Sequence, residues 1–209
     1  MRLSRLAIVA LIASISVFAH LNALAADPPL SPEEVIRSSG EQMVATVVER
    51  RSELETQPQL IYQLVDEILL PHMDFEAMAQ LALGPAWREA TPEQRREFTA
   101  EFRNLLVRTY STAWLAYDNQ TIEYLPARPA SRPDRATVTV RLLESGGQRT
   151  ILAYSLRLKD GVWKVYDLSL DGVSLLTNYR SEFPARVRAV GLDGLIVEMR
   201  GMSRDAVDG

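Results

Sequence analysis

From residue 26 onward the sequence predicts an α+β domain, and three observations predict it. Apolar residues recur every three or four positions between Val35 and Tyr117, the repeat of helices buried along one side. Beyond Asn119 the repeat shortens to two, the signature of strands with one covered face. Helices therefore come first and strands second, an order that gathers helices on one side of an antiparallel sheet.

The elements follow in turn. Ser31-Pro32-Glu33-Glu34 opens a helix with a capping serine, a proline suited to the first turn and an acid three residues on. Val35, Ile36, Met43, Val44, Val47 and Val48 give it an apolar side, and Gly40 weakens its middle. A second helix carries Leu60, Ile61, Leu64, Val65, Ile68 and Leu69 and stops at Pro71. A short third helix starts behind Asp74 and ends at Leu83-Gly84-Pro85. Thr91-Pro92-Glu93-Gln94 starts the most regular one, whose stripe from Phe98 through Phe102, Leu106, Tyr110 and Trp114 to Tyr117 predicts around seven turns. Val138, Val140 and Leu142 then alternate with polar residues, as do Tyr154, Leu156 and Leu158. Asp160-Gly161 marks a hairpin into a strand over 162–170. A last helical region is expected within 180–200.

The ends set the context. Arg2 and Arg5, the apolar run from Leu6 to Ala19, and Ala23-Leu24-Ala25 have the order of a cleavable export signal over residues 1–25. An uncleaved anchor would have to include Ser14, Ser16, His20 and Asn22. Residues 26–200 are expected to form one domain and 201–209 a flexible tail. The chain has 23 cations and 27 carboxylates, and two of the cations sit in the leader, so the exported part carries −6. Bulk attraction to nucleic acid or an anionic bilayer is disfavoured, although a local basic patch is not. No cysteine is present, which removes disulfides and a cysteine-borne lipid anchor, and a bacterial periplasm is the expected compartment.

Chemistry is scarce. After the leader the single histidine is His72, read as a capping or surface residue, so a multi-histidine metal site and Cys/His zinc patterns are excluded. There is no Gly-x-Ser-x-Gly elbow and no phosphate-cradling glycine loop. Asp167 is the one carboxylate of interest. In a regular strand it shares a side with Trp163 and Val165, and burial would raise its pKa toward proton transfer. A bulge would turn it outward, and a backbone or arginine partner would make it structural.

Several ordered segments add a resemblance. They are Pro71-His72-Met73-Asp74-Phe75-Glu76, Ala90-Thr91-Pro92-Glu93-Gln94-Arg95 running on to Val107-Arg108-Thr109-Tyr110, Gly161-Val162-Trp163-Lys164-Val165-Tyr166-Asp167, Asp171-Gly172-Val173-Ser174-Leu175, Asn178-Tyr179-Arg180-Ser181-Glu182-Phe183 and Gly191-Leu192-Asp193-Gly194-Leu195. Together, from about Asp27 to Arg200, they resemble the MlaC or toluene-tolerance family of periplasmic phospholipid-binding proteins. Met73 and the bulky Trp114 depart from that pattern in ways that would alter cavity volume. The resemblance implies helices packed on a curved antiparallel sheet around a deep apolar cavity for lipid tails, with the headgroup at the mouth. It also implies shuttling between an outer-membrane lipoprotein complex and an inner-membrane ABC transporter with a lipid-binding ring, which maintains outer-membrane lipid asymmetry without catalysis or a cofactor.

The energetics suit such a role. At about 0.8 kcal/mol per buried methylene, two sixteen-carbon tails represent on the order of 25 kcal/mol that a carrier must offer in its own interior. By face, the expected wall is Val138, Val140 and Leu142 on one strand, Tyr154, Leu156 and Leu158 on the next, and Val165 on the third. Leu106, Tyr110 and Trp114 join them from the long helix, and Val173 from a loop. Arg108 and Arg180 are the phosphate candidates, because a guanidinium matches phosphate in bidentate fashion. The competing readings are a small cone-shaped enzyme using Asp167 and a tyrosine, and an interaction protein with a solid core.

Overall fold

The computed structural model describes residues 29–208 except Ser145, so the expected export leader and cleavage site lie outside the described residues. Helix α1 (Pro32–Glu49) starts on a complete capping box: the Ser31 hydroxyl accepts from the Glu34 N–H, and the Glu34 carboxylate accepts from the Ser31 N–H. A six-residue helix, α2 (Arg51–Thr56), leads to α3 (Leu60–Ile68) and a 3-10 turn over Leu70–His72. Asp74 caps α4 (Phe75–Leu83) by accepting from the Ala77 N–H. Gly84, at φ +57°, ends that helix in a region that disfavours a side chain, and the single turn α5 (Ala86–Glu89) follows.

Helix α6 (Pro92–Tyr110) repeats the capping box with Thr91 and Gln94. It is shorter than its apolar stripe predicts. The backbone tightens to a 3-10 helix over Ser111–Ala116, so Trp114 belongs to that segment and Tyr117 closes it. The run Thr109-Tyr110-Ser111-Thr112 is made of weak helix formers, and the Thr109 hydroxyl already donates to the Leu105 carbonyl.

An open antiparallel sheet follows: β1 (Thr121–Tyr124), β2 (Arg128–Pro129), β3 (Arg135–Leu143), β4 (Arg149–Lys159), β5 (Val162–Leu170) and β6 (Val173–Ser174). The strand order is β1-β3-β4-β5-β6, with β2 beside β1 on the same edge of β3. Leu156 pairs with Val165 and Ser155 with Asp167, which leaves Tyr166 as an extra residue on β5. That bulge bends the strand and resets its alternation. Val165 faces inward before it, Leu168 and Leu170 face inward after it, and Asp167 faces outward with its partner Ser155.

The last helix, α7 (Leu175–Asp208), is broken at Gly191, where φ is +74° and ψ 168°. It starts earlier than expected and runs helically into the stretch that the sequence marks as a tail.

Three apolar clusters hold these parts. Helices α4 to α7 meet around Phe98, Phe102 and Phe183, whose rings lie 5.5–5.7 Å apart, with Tyr179 edge-on to Phe102 at 5.1 Å. Helices α1 to α3 form a second cluster around Met43, Ile61 and Leu64. The inner face of the sheet forms the third, where Val138, Leu156 and Val165 meet Val35 and Ile36 of α1.

Candidate functional site

Where the helices and the sheet meet, packing is incomplete. A cavity of about 480 Å³ lies there, within the range of small-ligand sites. Its wall is assembled from nearly every element: Ile36 of α1, Val65 of α3, Met78 of α4, Leu106 and Tyr110 of α6, Trp114 of the 3-10 segment, Ile122 and Tyr124 of β1, and the inner sides of β3, β4 and β5. Glu144 is the one carboxylate on this wall among the described residues, and no lysine or arginine lines it. Glu144 stands with Gln120 and Thr150 where β1 begins and the β3–β4 hairpin turns, because Thr121 pairs with Leu143 and Leu142 with Thr150. One end of the cavity therefore holds its carboxylate, and the rest is mainly apolar, with Ser39, His72, Ser111 and tyrosine hydroxyls as its polar groups.

Three titratable groups on the mainly apolar part, Tyr154, Tyr124 and His72, are pushed toward their neutral forms. Burial pushes the Tyr154 phenol up to about 12, and the nearby Tyr124 phenol pushes it the same way. Tyr124 is raised by its own burial and by Glu41, against the opposing charge of Arg37. Burial, followed by the positive charge of Lys164, lowers His72 below its ordinary 6.5. At neutral pH this wall offers hydroxyls and an uncharged imidazole, well suited to an uncharged chain.

Of the expected wall residues, Leu106, Tyr110, Trp114, Val140, Leu142, Tyr154 and Val165 line the cavity. Four do not. Val138 and Leu156 are fully buried against α1, and so belong to solid core. Leu158 points to the inner side of the sheet but beyond the cavity, where it is 41% exposed. Val173 is 60% exposed at the β5–β6 turn.

Both phosphate candidates lie off the wall. Arg108 is two residues from both Leu106 and Tyr110, which puts it on another side of α6, and Arg180 is exposed on α7. His72, expected as a capping or surface residue, is half-buried on the cavity wall. Asp167 is outside the cavity, where it accepts from the Ser174 hydroxyl at 2.9 Å and from the Leu168 N–H at 2.8 Å. A structural partner and an outward bulge thus both apply to it, and the proton-transfer reading loses its buried acid.

Sequence reasoning missed Leu152, Leu168 and Leu170 on the wall. Leu152 extends the alternation of Tyr154 by one step and was visible; Leu168 and Leu170 were hidden by the bulge. Ile122 and Tyr124 carry the same two-residue repeat, but over a strand of only four residues.

With this geometry in place, the likenesses to known proteins are informative. The family model described as MlaC protein matches residues 37–201. A Haemophilus influenzae protein named intermembrane phospholipid transport system binding protein MlaC is 25% identical over 173 residues, covering 81% of each chain. The toluene tolerance protein ttg2D of Pseudomonas putida is 27% identical over 164 residues, covering 78% of this chain and 76% of its own. Among solved structures, the phospholipid-binding protein of Ralstonia solanacearum in complex with a phospholipid aligns with a TM-score of 0.76 at 27% identity. That alignment covers 85% of this chain and 99% of the other.

Proposed function

The chain belongs to the MlaC family, and on that footing we propose that it is a phospholipid carrier that acts without catalysis between two membranes. The observation that carries this reading is the cavity, with its carboxylate at one end and its long wall free of lysine and arginine. Acyl chains fit such a wall because each buried methylene contributes about 0.8 kcal/mol, and the polar end at Gln120, Glu144 and Thr150 suits the neutral and cationic atoms of a headgroup, its amine toward Glu144. The names and the bound ligand of its relatives point the same way.

The finer picture is that the protein is exported to the periplasm and released from its leader. It then moves lipid between an outer-membrane lipoprotein complex and an inner-membrane ABC transporter with a lipid-binding ring. The absence of cysteine, and hence of a cysteine-borne anchor, suits a diffusing shuttle. No helix among the described residues is long and apolar enough to cross a membrane.

The deciding experiment is extraction. The protein purified from its host without detergent is treated with organic solvent, and the extract is quantified by mass spectrometry. Near-stoichiometric phospholipid is expected. A clean extract, together with no uptake from phospholipid vesicles, would overturn the carrier reading.

A further inference from the structure

The sheet has a second face, and its chemistry is the reverse of the rest of the chain. The strand register puts Arg135, Thr137, Thr139 and Arg141 of β3 on the side away from the cavity. Beside them on β4 stand Arg149, Ile151, Ala153, Ser155, Arg157 and Lys159. On β5 the same side shows Val162, Lys164, Asp167 and Ser169. Arg128 of β2 pairs with Thr137, and Glu123 of β1 with Arg141, so both join this side. Seven cations stand against Glu123 and Asp167 on the strands and Asp74 and Glu76 at the adjoining start of α4, which leaves three positive charges net on a chain whose formal net charge is −4.

The cations are arranged as well as abundant. Arg135 lies over the ring of Tyr166, 5.0 Å from its centroid. Arg157 is fixed on Asp74, and Lys159 reaches both Asp74 and Glu76. Arg141 stands 3.6 Å from Glu123. Among the described residues, Arg128, Arg135 and Arg149 are paired with no carboxylate. Between the cations Thr137, Thr139, Ala153, Ser155 and Ser169 are all small, and the Tyr166 ring and Ile151 stand among them.

Building on the carrier reading, we propose that this outer sheet face is the docking surface for an acidic protein partner. Arginine supplies five of the seven cations, and arginine is the charged residue enriched in protein interfaces, where its planar fork engages carboxylates in pairs. Tyr166, held under Arg135, adds the aromatic contact that protein interfaces also favour. A bilayer is a poorer occupant. The remainder of the chain is strongly acidic, and an anionic bilayer extends beyond the patch to repel it, whereas a protein can confine its negative charge to the footprint. Because the cavity lies on the other side of the sheet, a partner docked here does not cover its wall.

The test uses the double variant Arg128→Glu/Arg149→Glu. Both residues are exposed, neither lines the cavity, and neither takes part in an ion pair of the fold. The probes are the purified periplasmic domains of the two transport complexes, and separately vesicles containing phosphatidylglycerol. The wild-type chain is expected to bind at least one domain with an affinity that falls about tenfold or more between 50 and 200 mM salt. The variant should lose at least tenfold at low salt, with its extractable lipid unchanged. Equal binding of both proteins to both domains would overturn the proposal. So would binding of the wild type to the vesicles rather than the domains, because the face would then be a membrane surface. The lipid extract separates this inference from the carrier reading: empty protein that still docks in a salt-dependent way would remove the carrier and keep the surface.

Discussion

Arg157 of β4 donates from Nε to Asp74 Oδ2 at 2.5 Å, joining the sheet to the start of α4 through a carboxylate that is only 3% exposed. The same carboxylate caps α4 through the Ala77 N–H and has Lys159 at 3.6 Å. Burial alone would raise its pKa, but the hydrogen bonds from Arg157 and Ala77 and the two positive charges hold it below its ordinary 3.8. A carboxyl depressed in the folded state stabilises the fold above its unfolded pKa, and the contribution is lost as pH falls through the folded value. Thermal melts should therefore show an Asp74-dependent loss only below about pH 4. Asp74→Asn should cost about 3 kcal/mol at pH 7, and that cost should shrink progressively as the pH is taken below about 4. A cost that stays constant throughout would mean that charge is not what Asp74 contributes.

Leu142 and Leu156 sit on neighbouring strands of one inner face, and the structure separates their roles. Leu156 is fully buried among Val35, Ile36 and Val165, whereas Leu142 borders the cavity near its polar end. Leu156→Ala should lower stability by about 3 kcal/mol and leave the folded protein loaded with lipid. Leu142→Glu should fold, because the new carboxylate can lean toward water at the mouth, yet lose about tenfold or more of its lipid. Chemical denaturation and lipid extraction on both variants check the pair. Swapped outcomes would move the boundary between core and cavity.

Asp167→Asn tests the enzymatic alternative on its own terms. Its carboxylate receives the Ser174 hydroxyl and the Leu168 N–H, so it secures the turn from β5 into β6. Replacing it should cost about 1 kcal/mol and leave lipid content unchanged. A hydrolytic or isomerase activity present in the wild type and absent from the variant would restore an active role for Asp167.

How much of this was legible depends on which physical effect decides each feature. Capping boxes at Ser31 and Thr91 are local hydrogen-bond patterns, and they appear where the sequence puts them. Val140 and Tyr154 face inward because strand alternation requires it. Val138 and Val140 are identical in type and share a face, yet only Val140 lines the cavity. Val35 and Ile36 of α1 cluster with both, so where the open space ends along β3 is a tertiary matter that no periodicity encodes. The bulge at Tyr166 is equally silent: alternation counted through it puts Asp167 inside, and a single extra residue puts it outside. The tightening at Ser111 had a signal in Thr109-Tyr110-Ser111-Thr112, which the continuous aromatic stripe outweighed.

Gly40 shows the same conflict between local preference and tertiary contact, and it can be measured. In the middle of α1 a glycine should cost about 1 kcal/mol relative to alanine. The Tyr124 hydroxyl accounts for its presence, since a Cβ at Gly40 would stand 2.6 Å from that oxygen while remaining 3.5 Å or more from the ring carbons. Tyr124 has little freedom to withdraw, because it lines the cavity and its ring lies under the Arg37 guanidinium at 4.9 Å. Gly40→Ala in the wild type should therefore gain little or lose stability. In a Tyr124→Phe background, which removes only the clashing oxygen, the same change should gain about 1 kcal/mol. A double-mutant cycle by urea denaturation reads the coupling directly. If Gly40→Ala is worth the same in both backgrounds, Tyr124 does not press on α1, and the approach of β1 to that helix is looser than this geometry requires.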